Sequence, residues 1–129
     1  MGKWLACAIG LLLAVNAAWM LVTPEAWYAA IPGVSATGPA NSHFIRDIGC
    51  AYLVVALSLF WLARSPKRAW PAAAAGGAFL TLHALVHLAE LFTGHGDVHR
   101  LPTELLTVHL PAILTLWLAF TLGRAREKE

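Results

Sequence analysis

Four long apolar runs, separated by short polar stretches, set the pattern of this chain. They cover residues 4–22, 43–63, 71–93 and 104–122. A helix needs about 20 apolar residues to cross a bilayer, and each run is of that order. The pattern therefore predicts an all-α integral membrane four-helix bundle, forming a single domain over residues 1–129. The first run is longer than the core of a secretory signal and is read as a retained span. Between the first two runs, Thr23-Pro24-Glu25 is helix-start chemistry. A short helix over 25–31 is expected to lie in the interface, with Trp27 and Tyr28 at headgroup level. Pro32-Gly33 should end it, and Gly38-Pro39 and Asn41-Ser42 supply turns. Arg64 to Arg68 reads as a basic hairpin loop, with Trp70 and Pro71 opening the third span. Ala72/Gly76 and Ala73/Gly77 are small pairs that permit close helix approach. Thr103 is a plausible cap for the fourth span, and Pro111 should distort it near His109.

Composition supports the membrane reading. The chain is 59% hydrophobic and 12% charged, about half the charge usual in soluble domains. No basic run with interleaved aromatics exists, so nucleic acid is excluded as a partner. Cys7 and Cys50 fall near opposite membrane faces, too far apart for a disulfide. Lys3, Arg64, Lys67, Arg68, Arg124, Arg126 and Lys128 collect on one side, which is 7 of 9 cations. By the positive-inside rule, both termini are expected in the cytoplasm and the 23–42 and 94–103 loops outside.

The third span also carries His83, His87 and Glu90. At 100° per residue these lie at roughly 0°, +40° and −20°, on one narrow face. Ionisable groups inside a membrane helix are costly and point to function. His43, Asp47 and Cys50 show the same stagger on the second span. All six histidines fall in the outer half. At about 1.5 Å per residue, Asp47, Asn16, His87, Glu90 and His109 lie ~5–9 Å below the outer ends of their spans, and His83 ~15 Å.

Several chemistries fit this layer. One is a transition-metal site for Zn, Fe, Mn or Cu, with His43, Asp47, His83, His87, Glu90 and His109 as ligands and Arg46 and Asn16 behind them. Such a site suggests redox or hydrolytic chemistry on a membrane-soluble substrate, or metal handling. A second is a haem b held by two histidines, for example His83 and His109. A third is a polar network that fixes helix packing, with Arg46 paired to Glu90 or Asp47. A His–carboxylate pair moving protons is also open. A non-catalytic role as a subunit of a larger membrane complex, or a homo-oligomer, suits the small-residue faces. Glu104 reads only as a complement to a helix dipole. His95 and His99 read as solvated.

The segments His43-Phe44-x-Arg46-Asp47-x-Gly49 and His83-Ala84-x-x-His87 resemble a group of small four-helix bacterial inner-membrane proteins, loosely similar to DoxX-type proteins. His109 is not part of that pattern. The resemblance implies the fold and a bacterial inner membrane, and it implies no activity.

Overall fold

The computed structural model describes residues 1–94 and 96–124. His95 and the tail acids Glu127 and Glu129 lie outside them. The described chain is helical throughout, with helices α1 (Gly2–Val22), α2 (Pro24–Ala30), α3 (Ser42–Arg64), α4 (Pro66–Thr93), α5 (Leu101–Glu104) and α6 (Leu110–Arg124). Short 3₁₀ turns occupy Val34–Thr37 and Val98–Arg100, and a π-helical segment, Leu105–His109, joins α5 to α6. Four stretches are long and apolar enough to span a membrane: Gly2–Val22, Ser42–Arg64, Pro66–Thr93 and Val98–Gly123.

Only 28% to 39% of each span is buried inside the bundle. Leu11, Val15, Val54, Leu57, Leu82, Leu85, Val86 and Ile113 all face outward. Helices apolar on every side need a hydrocarbon surround, which fits a multi-pass membrane protein.

Two of the expected boundaries move. The basic hairpin loop is a joint of one residue, Ser65, and Lys67 and Arg68 stand in the first turn of α4. Pro66 opens that helix, where its missing N–H costs nothing. The carbonyl of Ser65 accepts from the Arg68 and Ala69 amides at 3.1 and 3.0 Å. The last span starts before Thr103, at Leu101-Pro102, so Thr103 sits inside a helix instead of capping one.

The distortion expected from Pro111 is the π-helical segment just before it. There the Leu110 amide donates to the Leu105 carbonyl, five residues back. Proline carries no N–H and its ring crowds the carbonyl four residues back, so the ordinary ladder cannot run through it.

Packing runs α1 on α3, α3 on α4 and α4 on α6, with α6 closing back on α1. The core holds Met20, Val55, Leu59, Leu62, Leu80 and Leu118. Without a hydrophobic drive between helices in lipid, close approach must come from small residues. Ala73, Gly76 and Gly77 on α4 are all buried. A Cβ at Gly76 would touch Val55 of α3 at 3.2 Å, and one at Gly77 would meet Leu116 of α6 at 2.7 Å. At the centre of α6, buried Thr115 has no hydrogen-bond partner for its hydroxyl among the described residues.

Side chains tie the outer connections down. Trp27 Nε1 donates to Asn16 Oδ1 at 2.9 Å, folding α2 back on α1. Asn41 caps α3, its Oδ1 accepting from the Phe44 amide at 3.0 Å. Arg46 Nε donates to the Leu21 carbonyl at 3.2 Å, a cation at the C-terminus of α1. Arg100 packs over Gly33, whose φ of +93° and missing Cβ leave the room; a Cβ there would fall 1.8 Å from Arg100 Nη1.

The Ser42 hydroxyl donates to the Glu25 carboxylate, joining α2 to the start of α3. That bond, then a backbone hydrogen bond at Glu25 itself, holds the carboxyl below its ordinary range, with a smaller pull from Arg46. A carboxylate lowered in this way stabilises the fold above its unfolded-state value and loses that contribution as pH falls through the folded value.

Two measurements follow from this packing. Gly77→Val should destabilise the protein by about 1–3 kcal/mol in detergent unfolding, while Ala75→Val on the exposed face of the same helix should not. Equal effects would show that the α4–α6 contact is not tight. Ser42→Ala should raise the Glu25 carboxyl toward its ordinary value in a carbon-13 NMR titration. An unchanged titration would mean the hydroxyl is not its partner.

Candidate functional site

The polar face of α4 lies on the flank of its buried stripe. Taking His83 as 0°, the buried positions Ala69, Ala73, Gly76 and Leu80 fall at about +20° to +80°. His87, at about +40°, therefore points into the gap beside α6, and His83 follows one turn deeper. Glu90, at about −20°, sits further round. It is half-buried, and its backbone carbonyl accepts from the Gly94 and Gly96 amides at the helix end.

The partner across the gap is Glu104. Its Oε2 lies 3.6 Å from His87 Nδ1, with the two side chains 21% and 29% exposed. The expected dipole-complementing acid is thus a contact between spans. It reaches His87 because the last span begins early, which carries Glu104 into the body of the helix. Within the π-helical segment His109 turns back, and its Nδ1–H donates to the Glu104 carbonyl at 3.1 Å. That bond directs Nε2 away from the backbone. His109 is near enough to interact electrostatically with His83.

Aromatic rings back the imidazoles. The His83 and His87 rings meet edge-on, with centroids 4.8 Å apart. Tyr52 of α3 meets His83 edge-on at 5.9 Å, and Phe79 stacks on it at 6.3 Å. Tyr52 and Phe79 carried no functional signal in the sequence. Their helical spacing marks them as ordinary core, and only the packing of α3 on α4 brings them to His83.

The other proposed members lie elsewhere. His43 Nε2 sits 3.4 Å from Asp47 Oδ2 on the surface, with side chains 89% and 59% exposed. Cys50, on the same stripe, is exposed too. This stripe is about 160° round α3 from the buried positions Ile45, Gly49 and Ala56. The rotation that buries those residues turns His43 and Asp47 outward. Arg46 is engaged with Leu21 and Asn16 with Trp27, so both serve the outer connections.

What α4 and the last span bring together is therefore His83, His87, Glu104 and His109. As the side chains stand, no three His, Cys, Asp or Glu groups among the described residues converge tightly enough to hold an ion. The spacings are nevertheless informative. With Zn–N near 2.0–2.1 Å, two imidazoles on one tetrahedral ion hold their ring centroids about 5 Å apart and their ligand atoms about 3.3 Å apart. The 4.8 Å and 3.6 Å separations lie close to those values.

No protein-family model, curated protein or solved structure matches the chain. The chemistry of this cluster rests on its own geometry.

If the His87–Glu104 contact fastens the two spans, His87→Ala and Glu104→Ala should be non-additive. A double-mutant cycle in detergent unfolding should give a coupling of about 0.5–1.5 kcal/mol. Strict additivity would mean the contact contributes nothing to packing.

Proposed function

We propose that the protein is a metal-binding integral membrane protein whose site is formed by His83, His87, Glu104 and His109. The observation that carries this reading is the spacing of His83, His87 and Glu104, which needs only side-chain rotation to share one ion. His109 supports it. A metal-bound imidazole almost always donates its other N–H to a carbonyl or carboxylate, and the Nδ1 bond to Glu104 is of that kind. Imidazole and carboxylate donors suit Zn, Fe, Mn or Cu(II). The ion would also offset the cost of holding a carboxylate among apolar helices.

The distribution of Lys and Arg places this site toward the outer face, with both termini in the cytoplasm and α2 lying in the outer interface. Together with the resemblance to small bacterial four-helix proteins, this favours the bacterial inner membrane. Near the outer face, such a centre suits redox or hydrolytic chemistry on a membrane-soluble substrate, or metal handling. Bis-histidine haem ligation is less well served, because Tyr52 and Phe79 already cover the His83 ring.

A second reading draws on the His87–Glu104 contact itself: the cluster is a polar fastener between α4 and the last span, in a subunit that packs within a larger complex. Elemental analysis separates the two. Protein purified without chelator should carry near-stoichiometric metal. His87→Ala and Glu104→Ala should lose it, whereas His43→Ala should keep it. Metal-free protein that also fails to take up Zn, Fe, Mn or Cu on titration would rule out the metal reading. A visible spectrum on the same preparation should lack the Soret band near ~420 nm expected of bis-histidine haem.

A further inference from the structure

At the other end of the bundle, α1 and α3 frame a shallow groove of about 270 Å³. It is lined by Lys3, Trp4, Cys7, Phe60, Ala63 and Arg64. Trp4, Phe60, Ala63 and the half-buried Cys7 make an apolar floor, and two cations stand at its mouth. Among the described residues neither cation is in an ion pair. No acid occurs before Glu25 or between Asp47 and Glu90, so α1, this half of α3 and the start of α4 carry only positive charge. Lys67 and Arg68, exposed in the first turn of α4, continue the basic rim.

We propose that this groove binds one anionic phospholipid. Its phosphate is held between Lys3 and Arg64, and an acyl chain lies along Trp4, Phe60 and Ala63. The pairing of a basic mouth with an apolar floor at the end of two spans matches an anionic amphiphile and neither half of it alone. Basic pockets between membrane helices recognise anionic headgroups in this way. Lys3 and Arg64 also bury their stems along the apolar wall while the charges reach the headgroup. The proposal is independent of the metal reading, because it uses other residues at the opposite end.

Native mass spectrometry of the detergent-solubilised full chain tests it, titrating phosphatidylglycerol against phosphatidylcholine of the same acyl chains. One phosphatidylglycerol should be retained per chain, at least about tenfold in preference to phosphatidylcholine. Each of Lys3→Gln and Arg64→Gln should weaken retention about fivefold, and the pair about 25-fold. Ala63→Trp should displace the lipid by filling the groove while leaving both charges, and Lys67→Gln should change retention less than about twofold. Circular dichroism checks that each variant keeps its helices. Millimolar inorganic phosphate should leave the lipid bound. Equal retention of the two lipids, a double variant that binds like the parent, or loss on Lys67→Gln as large as on Arg64→Gln would overturn the proposal. Displacement by free phosphate would overturn it as well.

Discussion

Inside hydrocarbon no water is at hand to complete a backbone hydrogen bond, so each span must carry its own bonds from end to end. Much of this architecture follows from that demand. The joint between α3 and α4 shrinks to Ser65, whose amide and carbonyl both stay bonded. Arg46 serves a carbonyl at the end of α1, and Asn41 serves an amide at the start of α3. Pro111 is the one place where a proline sits deep within the described spans, and there the chain shifts to five-back hydrogen bonding.

That shift and the approach of α4 to the last span together make the candidate site. Small residues on α4 let its neighbours close in, and the gap beside that stripe receives His83 and His87. The other wall comes from the irregular stretch of the last span, which supplies a carboxylate from Glu104 and an imidazole from His109. A regular helix could present His109, but it would not bring His109 Nδ1 to a carbonyl five residues earlier. The polar cluster is thus tied to the feature that proline imposes on the backbone.

The spans were legible because bilayer thickness demands runs of a certain length, and few other constraints do. The stripe of His83 and His87 was legible for a similar reason, since helical periodicity needs no tertiary information. The partners of that stripe were hidden. The stagger of His43 and Asp47 looks like that of His83 and His87, but the direction each stripe faces depends on which side of the helix the neighbours occupy. On α3 the buried side runs through Ile45, Gly49 and Ala56, and comparing the two stripes would have shown them opposed. Glu104 was hidden because Thr103 resembles a cap. Pro102, one residue earlier, was the stronger sign of a helix start. The π-helical form itself, as distinct from a simple kink, has no short sequence signature.

The five-back segment has a further consequence for how this chain can vary in length. An i→i−5 turn accommodates one residue more than an i→i−4 turn. A descendant shortened by a single position between Leu105 and His109 could close as ordinary helix and keep everything after Leu110 on its present face against α4. Insertions or losses elsewhere in that span would instead rotate the remainder by about 100° and strip Leu118 from the core. The segment is therefore the one register-neutral place in the last span, where length could drift while the bundle stays intact and the imidazole–carboxylate arrangement is won or lost on its own.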